Sequence, residues 1–141
     1  MPIEFKVDAQ RRLVTVRIHG TLTDDEIFGY QRETWARPEI AGFDELVDMN
    51  DVEHIAVPSA TRVRDLAELS AGMDVPTMPS KLAIVAATSL AYGLARMYET
   101  YRSLDRRSVK QVSVFRSTRD ALKWLGFEGD PGGLRRPEKP G

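Results

Sequence analysis

Asp48, Asn50, Asp51 and Glu53 lie close together in the chain. Oxygen-rich runs of this kind suit a hard cation, which wants several oxygen ligands. The spacing and turn glycine of a calcium loop are missing, so a solvated strand end is the simpler account. The two histidines are His19 and His54. Neither has a second histidine three or four residues away, as a metal pair on one helix face requires. Neither is accompanied by a Gly-x-Ser-x-Gly elbow that would supply a nucleophile. The chain has no cysteine, which excludes thiolate metal sites and thiol nucleophiles. No catalytic residue, metal site or cofactor is expected.

A second constellation is made of short polar residues at the ends of predicted strands. Thr21, Asp48, Asn50, Thr88, Ser89, Arg116 and Ser117 all fall there. In an open parallel sheet, ligands collect outside the carboxyl ends of the strands. Helix N-termini with free amides face that rim, so a small anion could bind, with Arg116 supplying charge. Plain helix capping asks for the same residue types. Ser59 and Thr61 open another helix after Pro58 and are the candidates for phosphorylation.

Arg96, Arg102, Arg106, Arg107 and Lys110 gather in one region, with Arg135 and Arg136 further on. Tyr98 and Tyr101 interleave with the helical arginines, the pattern of a nucleic-acid or acidic-partner patch. Those tyrosines sit on a predicted buried stripe, so a solvated basic face is the preferred reading, and no nucleic-acid partner is expected. Trp124 fits a buried helix face. Trp35 precedes Arg37-Pro38 and is a candidate for a homodimer contact.

The elements that must position these residues follow from periodicity. Ile3, Phe5 and Val7 alternate with polar residues, and so, less cleanly, do Leu13 to His19. A period of two predicts a hairpin of half-buried strands. Thr23-Asp24-Asp25-Glu26 has the form of a capping box. Glu45–Met49 predicts a third strand, and Leu82–Ala87, apolar on both parities, a strand covered on both faces. Val109–Phe115 predicts a fifth strand. Helices are predicted after Thr23, Ser59, Thr88 and Ser117; Leu90, Leu94, Met97, Tyr98 and Tyr101 define the buried stripe of the third. The order ββαβαβαβα predicts an α/β fold: a mixed, mainly parallel five-stranded sheet with an antiparallel N-terminal edge strand. One domain is expected over residues 1–125, followed by a flexible Gly/Pro-rich tail over 126–141.

Composition agrees. Twenty basic and twenty-one acidic residues leave a net charge of −1, so no strong global attraction to polyanions is expected. The N-terminus lacks the basic and apolar regions of a signal peptide. The longest apolar stretch, Leu82–Ala87, is too short to span a bilayer. The expected location is the cytoplasm.

Five pieces in order then resemble a known family: Gly20-Thr21-Leu22-Thr23; Leu46-Val47-Asp48; Lys81 to Ala86; Ala95-Arg96-Met97-Tyr98; and Val114-Phe115 with Ala121 to Leu125. Together they are similar to the SpoIIAA-like, STAS/SEC14-type proteins of bacteria. That resemblance implies a SpoIIAA-like/STAS-like α/β domain and does not imply an enzyme. Relatives that antagonise anti-sigma factors carry a phosphorylatable serine in an Asp-Ser-Ser-Gly-like motif. Here the matching stretch reads Asp48-Met49-Asn50-Asp51, so Ser59 and Thr61 are not its equivalents. The SEC14 side of the name implies lipid binding, but a chain of this length is not expected to hold a large cavity. The expected function is an interaction or regulatory module for a protein partner or small ligand. The alternatives are a binder of small anions, metabolites or lipid at the sheet rim, and a phospho-switched anti-sigma-factor antagonist.

Overall fold

A computed structural model describes residues 2–56 and 59–127. β1 (Ile3–Asp8) and β2 (Leu13–Thr23) form the expected antiparallel hairpin. Three parallel strands follow: β3 (Asp44–Ala56), β4 (Ser80–Val85) and β5 (Lys110–Phe115). The sheet order is β1-β2-β3-β4-β5. Each connection therefore steps one strand in the same direction. Connections of one handedness that step one way must all pass over the same face. α1 (Asp24–Thr34), α2 (Ala60–Met73) and α3 (Ser89–Leu104) accordingly share a face, while α4 (Thr118–Leu125) packs on the other, against β3, β4 and β5.

The caps act as predicted. Thr23 and Glu26 form a complete capping box, and the side chains of Ser59, Thr88 and Ser117 accept from the amides of Arg62, Ala91 and Asp120. α4 stops at Gly126, whose φ of +95° is comfortable only for glycine. Phe127 then packs back on the cluster of Leu13, Leu46, Val85 and Leu125. The predicted tail from 128 onward lies outside the described residues.

Three expectations are corrected. β3 does not end at Met49 but runs to Ala56, because β2 keeps pairing with it as far as Thr23↔Ala56. β1 pairs with β2 only as far as Ile18, and β4 with β3 only as far as Asp48. The last turns of β2 and β3 thus form a two-stranded overhang, bent at register shifts on either side of Gly20, whose φ is +69°. Leu90 is not on the buried stripe of α3: it is 61% exposed, and the stripe runs Ala91, Ala95, Tyr98, Arg102. Arg102 and Lys110 do not belong to a solvated basic face. Arg102 is buried and the Lys110 side chain is only 10% exposed, each paired with an acid. Among the described residues, no helix is long and apolar enough to cross a membrane.

The helical face has a seam. α1 lies on β1 and β2, whereas α2 and α3 pack on each other and on β4 and β5. Val47 and Met49 of the central strand touch the clusters on both sides of the seam, yet neither is fully buried. A central strand under well-fitted helices would be dry. Here it floors an opening.

Candidate functional site

That opening is a cavity of about 120 Å³ between the sheet and α1, α2 and α3. The strands contribute Ile18, Leu22, Val47, Met49, Ile55, Leu82 and Ile84. The helices contribute Ile27, Phe28, Val63, Leu66, Leu94 and Ala95. The wall is apolar nearly throughout, and its few polar groups are segregated by position.

At one end lie Asp24 and Arg62, at the first turns of α1 and α2 and beside the overhang residues Leu22 and Ile55. Arg62 Nε donates to Asp24 Oδ2 at 2.9 Å, and its guanidinium stacks over Phe28 at 4.2 Å. The Asp24 hydrogen bond raises the Arg62 pKa above its ordinary value. Both side chains reach solvent, so this end is the mouth.

At the other end lie Tyr30, Gln31, Glu45 and Tyr98, near the starts of the parallel strands. Glu45 is buried, with Oε2 accepting from the Tyr30 hydroxyl at 2.7 Å and Oε1 from Lys110 Nζ at 3.2 Å. The Tyr30 oxygen accepts from Trp35 Nε1 at 3.0 Å, and Lys110 Nζ sits 3.4 Å from the centre of the Trp35 ring. Burial first, then the Glu45 charge, pushes the Tyr30 phenol well above its ordinary pKa. Burial raises Tyr98 in the same way. Both phenols are therefore neutral at physiological pH. Burial lowers the Lys110 pKa, and Glu45 opposes the shift.

Beside this group, Asp74 holds Arg102 through Nη2 at 2.9 Å and also accepts from the amides of Val109 and Lys110. Two acids and two bases thus neutralise one another inside the fold, as buried charges must. Trp35, expected at a dimer contact, has its indole N–H and ring face committed to this cluster. The two ion pairs were not visible in the chain, because they join residues far apart, 28 positions for Asp74 and Arg102 and 65 for Glu45 and Lys110.

The residues predicted for the rim are placed separately. Asp48, Val85 and Phe115 share one register row, which puts Asp48 beside the strand ends that carry Ala86 and Arg116. Arg116 Nη1 donates to the Ala87 carbonyl at 3.0 Å, and its guanidinium lies over Tyr92 at 4.0 Å. Thr88 and Ser117 are caps, and Ser89 begins α3, exposed. Asp48 accepts from the Asn50 amide at 2.9 Å, while Asn50 itself is exposed on β3. Thr21 lies further out, paired with His54 on the overhang. Ser59 caps α2 and Thr61 is exposed in its first turn. The carboxylates of β3 do not converge, since Asp51 pairs with Arg17 at 2.8 Å. Among the described residues, no three metal-ligating side chains come together.

No family model matches the chain, and no curated protein matches it in sequence. Among solved structures, it is similar to an uncharacterised protein of the DUF3478 family with a SpoIIAA-like fold, from Shewanella loihica PV-4. The identity is 18%, the TM-score 0.52, and the match covers 87% of this chain and 91% of that one. The fold is therefore SpoIIAA-like.

Proposed function

We propose that this protein is a binding module that takes a small, largely apolar molecule into the cavity between the sheet and α1, α2 and α3. The observation that carries this reading is the seam itself: an apolar, solvent-reaching cavity over the central strand, closed at one end by polar groups. Apolar wall left facing water forfeits about 25 cal/mol per Å², and an apolar occupant recovers it. Binding rather than catalysis is supported by the commitment of Glu45, Tyr30 and Lys110 to one another.

Size supports a modest ligand. An engineered apolar cavity of about 150 Å³ holds benzene, so 120 Å³ suits a ring or a short branched chain, with any remainder leaving past Arg62. Toluene is a suitable probe. It should raise the melting temperature in proportion to the logarithm of its concentration above Kd. Ala95, buried on α3 against the cavity, is the residue to enlarge. Ala95→Phe should fill the space and abolish the shift, with the variant's own melt verifying that it folds. No shift from ring-sized apolar compounds at millimolar concentration would overturn the reading, and so would a shift that survives in folded Ala95→Phe.

A further inference from the structure

At the polar end of the cavity, spare hydrogen-bond acceptors outnumber spare donors. Glu45 receives one bond on each oxygen, from Lys110 and Tyr30. A carboxylate has about four lone-pair positions, so acceptor capacity is left over. Tyr30 has a single proton, and Glu45 takes it. Ser70 Oγ lies 2.8 Å from the Leu66 carbonyl, which can only accept, and 2.7 Å from the Tyr98 hydroxyl. The serine proton is used on the carbonyl, so the phenol donates to the serine. The Tyr98 oxygen is then left as an acceptor. Gln31 turns its amide nitrogen toward Met73 Sδ at 3.7 Å, a residue of the neighbouring smaller cavity. Arg102 Nε and Nη1 are buried without a partner, but Arg102 is not on this wall.

Charge narrows the ligand further. Lys110 already neutralises Glu45. An ammonium group would bring an unmatched charge into an apolar space, which is costly. A carboxylate or phosphate would face the Glu45 carboxylate, with no cation and at most the second amide N–H of Gln31 to meet it at this end.

We propose that the cavity selects a neutral, hydroxyl-bearing ligand of about ring size, an alcohol or a phenol, whose O–H donates to Glu45 or Tyr98 while its carbon skeleton lies along the apolar wall toward Leu22 and Ile55. This rests on the binding reading above and adds a polarity to it. An occupant without such a donor leaves the spare acceptors of Glu45 and Tyr98 unsatisfied in an apolar space. A site built around a hydroxyl therefore discriminates strongly against the analogue lacking it.

The test is a titration of the full chain with phenol, toluene, benzoate and benzylamine, followed by calorimetry or by amide shifts. Phenol should bind at least about tenfold more tightly than toluene, the ratio one hydrogen bond to a charged acceptor provides. Benzoate and benzylamine should bind more weakly than either. Tyr98→Phe and Glu45→Gln, each checked for folding by its melt, should erode the preference for phenol. Equal binding of toluene and phenol would overturn the donor proposal and leave the cavity reading standing. So would a preference for benzoate or benzylamine, or a phenol preference unmoved in both variants. Failure of all four compounds to bind would remove both readings together.

Discussion

At the scale of single residues, the interior turns on Glu45. It is the carboxylate that lets Lys110 stay charged among apolar neighbours, and it orders Tyr30 and, through it, Trp35. Removing it leaves the Lys110 ammonium without its hydrogen-bonded acid, over the Trp35 ring and with Asp74 only at longer range. Breaking a buried pair from one side costs about 3–5 kcal/mol, most of it the stranded charge. Glu45→Ala should therefore destabilise the protein by roughly that amount in urea unfolding, while Glu45→Ala with Lys110→Met should recover a large part of the loss. A double variant as unstable as the single one would show that Glu45 acts through something other than Lys110. Nothing in the local sequence announces this role. Glu45 sits at an inward position of a strand whose next inward residues, Val47 and Met49, are apolar, and a lone acid there reads as an error in alternation until a strand 65 residues later delivers its lysine.

Elements were legible where the signal is local and hidden where it is not. Thr23 to Glu26 carry a capping box within four consecutive residues, and the structure forms it in full. The end of β3 carries no such signal. Asn50, Asp51, Glu53 and His54 are polar because they are exposed, and they are strand only because β2 runs alongside. The turn between α3 and β5 combines both kinds of information. Asp105 accepts from the Arg107 amide and guanidinium, and Arg107 Nη2 also reaches the Glu68 carbonyl of α2 at 3.2 Å. The Arg107 side-chain bonds, then its amide, hold the Asp105 pKa down to about 2 from 3.8. A carboxyl depressed in the folded state contributes stability above its unfolded pKa and loses it as pH falls through the folded one. Stability should thus decline between about pH 4 and pH 2 as Asp105 takes up its proton. Asp105→Asn should flatten that part of the curve in acid unfolding followed by circular dichroism. An unchanged acid limb would mean the turn is indifferent to the charge.

At the scale of the molecule, the sequential strand order decides where the cavity can be. Three same-sided crossovers in a row lay three helices over five strands, and the helices divide into α1 on one flank and the α2–α3 pair on the other. The order ββαβαβαβα is read from periodicity. The uneven spacing of the helices is not, because it depends on how side chains far apart in the chain fit together. The overhang of β2 and β3 supplies the cavity's outer wall through Leu22 and Ile55. Past Gly20 and Val52 each of these strands has a single neighbour, whereas Leu82–Val85 of β4 are flanked on both sides. Two strands paired only with each other have few buried contacts to hold them, so they should open locally at a small fraction of the global unfolding free energy. Amide exchange should therefore be fastest, among the strand amides, in Gly20–Thr23 and Val52–Ala56, and slowest in Leu82–Val85. Phenol in the cavity, which β2, β3 and β4 line, should slow exchange in those strands and leave β5 nearly unchanged. Protection of the overhang equal to that of β4 in the free protein would mean that the outer wall is rigid and that a ligand enters by another route. Slowing confined to β5, which contributes nothing to the wall, would place phenol outside this cavity.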